Sequence, residues 1–199
     1  MRRYFSRFFV IFIMIFCGAL LCTQNASAAN MLANPDFENQ MNAWTVGGDG
    51  WLSQGTVVYA GSLAAENTIP SLTSAGHFGR LAQTFPASPG QNFYATAQAK
   101  SIISPLSTAT VGIEIAFLDS VGTAIDYYQD TIGGTTDWRQ LYVAHAAPAG
   151  TVEVRVQVFV FAMQGDTLAE GGKGYFDDVV LDTAPIAPPV LPFGLLNSN

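Results

Sequence analysis

Residues 152–161 read Val-Glu-Val-Arg-Val-Gln-Val-Phe-Val-Phe, and this strict alternation constrains the chain more than any other feature in it. Val152, Val154, Val156, Val158 and Val160 fall on one face of an extended strand, with Glu153, Arg155, Gln157, Phe159 and Phe161 on the other. A helix would scatter the valines around its circumference. One strand with a wholly apolar face needs a second layer to cover that face, so the alternation predicts a packed pair of sheets.

The rest of the sequence agrees. Residues 93–101 and 111–118 carry the same signal, the second placing Val111, Ile113, Ile115 and Phe117 inward and Glu114 outward. Asp119-Ser120-Val121-Gly122 then reads as a hairpin turn. Further strands are predicted at 54–60, 77–85, 124–130, 140–146 and 174–182, separated by Gly, Pro, Asp and Ser clusters. No long helical stripe and no internal repeat interrupts them. The prediction is an all-β fold, an antiparallel β-sandwich formed by one domain over residues 29–183. Pro185, Pro188, Pro189 and Pro192 then block sheet pairing, so residues 184–199 read as a Pro-rich tail.

Residues 1–28 have a different character. Arg2, Arg3 and Arg7 precede an apolar run from Phe8 to Leu21, and Ala26-Ser27-Ala28 supplies a small-x-small cleavage pattern. The run is shorter than the roughly 20 residues that span a bilayer, which favours a cleavable secretory signal over a retained anchor. Cleavage predicts a secreted or extracytoplasmic protein, in a periplasm, at a cell surface or outside the cell. Cys17 and Cys22 leave with the signal, so the mature domain has neither disulfide nor thiolate chemistry. Three of the eight basic residues also leave, and five remain against fifteen acids, a net charge of −10. That balance argues against nucleic acid and anionic membrane surfaces, which need a positive patch, and favours a neutral ligand or a cation.

Asn34-Pro35-Asp36-Phe37-Glu38, with Met31-Leu32 before it and Trp44 after it, resembles the opening of carbohydrate-binding modules of the galactose-binding-like β-sandwich superfamily, the cellulose- and xylan-binding groups in particular. The resemblance continues in order along the chain. It passes through residues 77–85, the Pro89-Gly90 turn, Trp138, the turn at 147–150 and Tyr175-Phe176-Asp177-Asp178-Val179-Val180-Leu181. It implies a jelly roll whose first and last strands are neighbours. It also implies a structural calcium ion where those strands meet, held by Glu38 and Asp177 with backbone carbonyls. Asp178 is an alternative ligand and Asp36 a weaker one. Hard carboxylate oxygens suit that ion, and clustering these acids without a cation is repulsive.

A sugar site needs aromatic faces for C–H stacking among groups that pair with hydroxyls. Two regions meet that description. One is an outward strand face carrying Gln98, Glu114, Arg155, Gln157 and Phe159; the other is a loop edge carrying Trp51, Tyr59, Tyr127 and Tyr128. Plainer roles compete with binding. Phe159 can lie under a loop, Arg155 can pair with Glu114, and Trp51 can plug the end of the sandwich. Trp44 and Trp138 read as packing residues, and His77 and His145 as exposed or hydrogen-bonded strand residues. No motif picks out a catalytic carboxylate pair, a nucleophile elbow or a phosphate loop. The leading expectation is a secreted, non-catalytic protein that binds a neutral polysaccharide or glycan on a calcium-stabilised scaffold. Its rival is a cell-surface structural or adhesion protein, with a surface partner, that uses the same scaffold without a sugar site. A small polysaccharide lyase or hydrolase stands third.

Overall fold

A computed structural model describes residues 29–70, 76–104, 107–163 and 171–188. The predicted signal and the end of the tail, from residue 189, lie outside the described residues. Ten strands follow in order: β1 (Thr45–Gly47), β2 (Trp51–Gln54), β3 (Ala64–Ile69), β4 (His77–Pro86), β5 (Asn92–Ile102), β6 (Thr110–Leu118), β7 (Ala124–Gly133), β8 (Thr136–Ala146), β9 (Glu153–Ala162) and β10 (Gly172–Asp182). They form two five-stranded sheets, β1-β4-β9-β6-β7 (sheet I) and β2-β3-β10-β5-β8 (sheet II). Every pairing within them is antiparallel. The fold is the predicted β-sandwich.

Alternation builds the core. Val154, Val156, Val158 and Val160 of β9 and Val111, Ile113, Ile115 and Phe117 of β6 are fully buried, as are Ala95, Ala97 and Ala99 of β5 and Phe176 of β10 across from them. Bulky β-branched residues on one sheet thus meet small residues on the other, which lets the layers close. The hairpin between β6 and β7 turns where Asp119 accepts the Val121 and Thr123 N–H groups on Oδ1, with Gly122 at φ 79°.

The opening segment lies along the last strand. Met31 N–H donates to Leu181 O and Val179 N–H to Pro35 O, both at 2.9 Å. Asn34 then folds the chain back on itself, its Nδ2 donating to Gln40 O and Asn42 O while Oδ1 accepts from Asn39 N–H. This network holds Asn34, Phe37, Gln40 and Ala43 at positive φ, a conformation that costs free energy unless its surroundings enforce it. The reward is a buried ring pair, Phe37 stacked on Trp44 at 5.3 Å, with Trp44 Nε1–H donating to Asn34 O.

One expectation changes, and one strand appears that was not predicted. Residues 54–60 are not a strand: β2 stops at Gln54, whose side chain binds Thr56 N–H, Val57 N–H and Val57 O, and the chain runs as a loop to Leu63. The strand that follows, β3, has no alternating signal, because Ala64 to Asn67 are all buried, Glu66 and Asn67 included. Its polar residues are satisfied inside the fold, which a hydropathy pattern does not register.

Candidate functional site

The outer face of sheet I is organised by strand register into cross-strand rows. Phe78, Phe161 and Thr110 form one row; Gly47, Arg80, Phe159, Gly112 and Thr131 the next. Ala82, Gln157, Glu114 and Gln129 follow, and then Thr84, Arg155, Ala116 and Tyr127. Cross-strand neighbours on one face lie within side-chain contact, so each row is a local unit.

The aromatic end is built around Gly112. A Cβ there would sit 2.5 Å from Phe159 Cζ, so only glycine admits the Phe159 ring over the β6 backbone. Phe159 is buried in that place, and Phe78 packs on both Phe159 and Phe161 with centroids 6.5 Å apart. Phe78 and Phe161 remain 44% and 38% exposed, an apolar ridge open to solvent. It borders a depression of about 400 Å³ lined by Gly76, His77, Phe78, Phe161, Ala162 and Met163.

The centre is polar and tightly placed. Glu114 Oε2 accepts from Gln129 Nε2 at 2.5 Å, and Arg155 Nη2 lies 3.6 Å from Glu114 Oε1. Gln157 Oε1 and Arg155 Nε are buried with no hydrogen-bond partner. Buried polar atoms without partners are uncommon and costly, so this row holds unused hydrogen-bonding capacity beside an aromatic ridge. Tyr127, 60% exposed, closes the far end.

The structure brings Glu114, Arg155, Gln157 and Phe159 onto one face, with Tyr127 beside them. Gln98 does not join: it lies on β5 in sheet II, opposite Asp177 and Gln140, on the other side of the molecule. The expected loop edge is also dispersed. Trp51 lies on β2, the edge strand of sheet II, against Phe176, its Nε1 buried and unpartnered. Tyr59 packs on Trp138 at 5.8 Å over sheet II. Tyr128 points to the core side of β7, between Phe117 and the stacked His145 ring, and its hydroxyl donates to Asp126. Period two separates Tyr127 from Tyr128 onto opposite faces, so neighbours in sequence cannot share a site. Phe78, Arg80, Gln129 and Phe161 were missed; Gln129 joins Glu114 only through the register of the β6–β7 hairpin.

Two of the acidic residues near the chain ends, Asp177 and Glu38, bind one loop from two sides. Asp177 Oδ2 accepts Tyr59 N–H and Ala60 N–H, and its Oδ1 accepts Asp178 N–H. Glu38 Oε1 accepts Ser62 N–H and Leu63 N–H, on the far side of Gly61. Gly61 has φ +65°, and a Cβ there would sit on the Glu38 carboxylate. The N–H groups of Leu63 and Ser62 hold the Glu38 carboxyl below its ordinary range. Burial pushes Asp177 up in spite of its N–H bonds, and burial and then Asp36 push Asp178 up. These residues fit a calcium ion in part. Five N–H bonds occupy Asp177 and Glu38 Oε1, whereas Glu38 Oε2 and the Asp178 carboxylate take no hydrogen bond among the described residues. Among those residues no three His, Cys, Asp or Glu side chains gather around one point.

The two sheets form a β-sandwich of the kind seen in carbohydrate-binding modules. Solved structures with this fold include the C-terminal family 22 carbohydrate-binding module of Clostridium thermocellum Xyn10B, at 19% identity and TM-score 0.56, covering 79% of this chain and 96% of that one. A family 61 module in complex with β-1,4-galactotriose matches at 16% identity and TM-score 0.53, covering 79% and 100%. The enzymatically active domain of bacteriophage CBA120 tailspike protein 4 matches at 19% identity and TM-score 0.59 over 78% of this chain, which spans only 21% of that one. Likeness at these identities defines the fold. No family profile matches the sequence, and no curated protein does.

Proposed function

We propose that this is a secreted, non-catalytic glycan-binding protein whose binding surface is the outer face of sheet I. The observation that carries this reading is the polar row Gln157–Glu114–Gln129 with Arg155 beside it, set between the exposed Phe78/Phe161 ridge and exposed Tyr127. A chain of sugar rings can stack on the ridge while its hydroxyls pair with exposed Gln129 and partly exposed Arg155 at the rim of the row. Modules of the same fold include one described as a xylan-binding domain and one solved with β-1,4-galactotriose, which supports a neutral polysaccharide as ligand. The Arg-led apolar segment before residue 29 supports export to where such polymers are found.

Affinity electrophoresis in soluble xylan and β-1,4-galactan, with pull-down on insoluble cellulose, tests the reading. Retardation or retention that is lost in Gln157→Ala and Tyr127→Ala supports it. Free migration in every polysaccharide sinks it and leaves the adhesion role. Calcium stabilisation belongs to the same proposal, with Glu38 and Asp178 as the carboxylates free to take the ion. Its support is that Asp36 and Asp178 lie near enough to repel, which pushes Asp178 up after burial, and that neither belongs to an ion pair among the described residues.

A further inference from the structure

We infer that the outer face of sheet II carries a second glycan site, built around Tyr59 and Trp138. The starting point is the loop between β2 and β3. It has no strand partner, yet it is pinned on both sides of Gly61, by Asp177 at Tyr59 and Ala60 and by Glu38 at Ser62 and Leu63. The clamp sets Tyr59 against Trp138 of β8, with ring centroids 5.8 Å apart and planes at 63°, so the two rings form a corner. Tyr59 is 49% exposed and Trp138 is half-buried, whereas Trp44 is fully packed in the core.

The surroundings suit a neutral sugar. Gln98 and Gln140 face one another across β5 and β8, directly beside Asp177, and present two amides on the side of the sheet that Tyr59 covers. Two of the charges on this sheet are paired, Lys100 Nζ with Asp137 at 2.9 Å and Lys173 with Glu66 at 2.6 Å. A pyranose finds there an aromatic corner and amide groups that bind hydroxyls. Two sites on opposite faces would let one chain bridge two polysaccharide strands, raising avidity without tighter single contacts. This inference goes beyond the sheet I reading and fails separately from it.

The test uses the full-length secreted chain titrated with xylohexaose and β-1,4-galactotriose, followed by calorimetry and by tryptophan emission. The expected result is two binding events per chain, with Trp138 emission shifted by one of them. Trp138→Ala and, as a milder change, Tyr59→Ser should each abolish that event, or weaken it at least tenfold, and leave the other intact. Tyr127→Ala should do the reverse, leaving the emission shift in place. One binding event, lost in Tyr127→Ala and accompanied by no change in Trp138 emission, overturns the second site and spares the first. Binding that survives unchanged in Tyr59→Ser also overturns it.

Discussion

Asp177 and Glu38, from opposite ends of the domain, hold adjacent residues of a single loop: Asp177 Oδ2 takes the N–H groups of Tyr59 and Ala60, and Glu38 Oε1 those of Ser62 and Leu63. Sequence similarity assigned the same two carboxylates to calcium. In the structure they already have a task, anchoring the second half of the β2–β3 loop, whose first half is held by the Gln54 side chain.

Removing the anchor has a measurable consequence. Asp177→Ala leaves the N–H groups of Tyr59, Ala60 and Asp178 without their acceptor and should cost about 2–3 kcal/mol, read from the urea midpoint. Asp177→Asn keeps one acceptor oxygen and should cost less. Equal midpoints for wild type and Asp177→Ala would show that the loop is held by something else.

Calcium and the clamp can be separated by melting the protein with calcium and with chelator. If calcium binds, the chelator lowers the melting temperature of the wild type, and Asp178→Asn removes most of that difference. An unchanged wild-type midpoint takes calcium out of the account.

Gly112 is where the sheet I face is most sensitive to volume. Gly112→Ala places a methyl group 2.5 Å from Phe159 Cζ and 2.9 Å from Thr131 Cγ2. Overpacking of this kind costs about 1–3 kcal/mol, and here the displaced Phe159 ring should carry Phe78 with it. The expected result is a lower melting temperature together with weaker retention on polysaccharide; a variant as stable as wild type with full retention contradicts the packing described.

His77 gives the fold a pH dependence. Its Nε2 lies 2.8 Å from Asn67 Oδ1, and since Asn67 Nδ2 donates to Asp49 O, the imidazole must be the donor through Nε2–H. Burial pushes the imidazole below its ordinary value of 6.5, with Asp49 opposing. A base with a depressed folded pKa contributes stability that is present above 6.5 and lost as pH falls through the folded value. Wild-type stability should therefore decline on acidification from about pH 6.5, and His77→Gln should flatten that slope. An identical slope in the variant would assign the dependence to another group.

Trp44 tests the strained opening segment. Trp44→Phe keeps the stack on Phe37 but loses the Nε1–H bond to Asn34 O at 2.9 Å, in a region where four residues hold positive φ. A cost of about 1–2 kcal/mol is expected, from the bond and the volume together. A neutral effect would mean that the Asn34 network alone holds the turn.

Much of the fold was legible because period two reports burial directly. The valines of β9 and the apolar residues of β6 went inward as their alternation required, and Asp119 to Gly122 turned the chain between β6 and β7. β3 was not legible, because Glu66 and Asn67 are buried polar residues whose partners, Lys173 and His77, come from β10 and β4. The loop after Gln54 was mistaken for a strand because apolar Val57, Val58 and Tyr59 look extended, while the acceptors that hold the loop lie far away in sequence.

The candidate site divides in the same way. Glu114, Arg155, Gln157 and Phe159 could be placed on one face because each is fixed by the alternation of its own strand, and β6 and β9 happen to be neighbours. Gln98 has an equally clear outward phase, yet belongs to the other sheet.

By itself the sequence determined which side of each strand is apolar, and therefore that two sheets must close on a common core, since backbone pleat ties side-chain direction to residue parity. Tertiary structure alone decided which strands are neighbours and which residues share a face. Sheet membership depends on long-range pairing, and that is why Glu38 and Asp177 act together on one loop while Gln98 and Gln157 stand on opposite sides of the molecule.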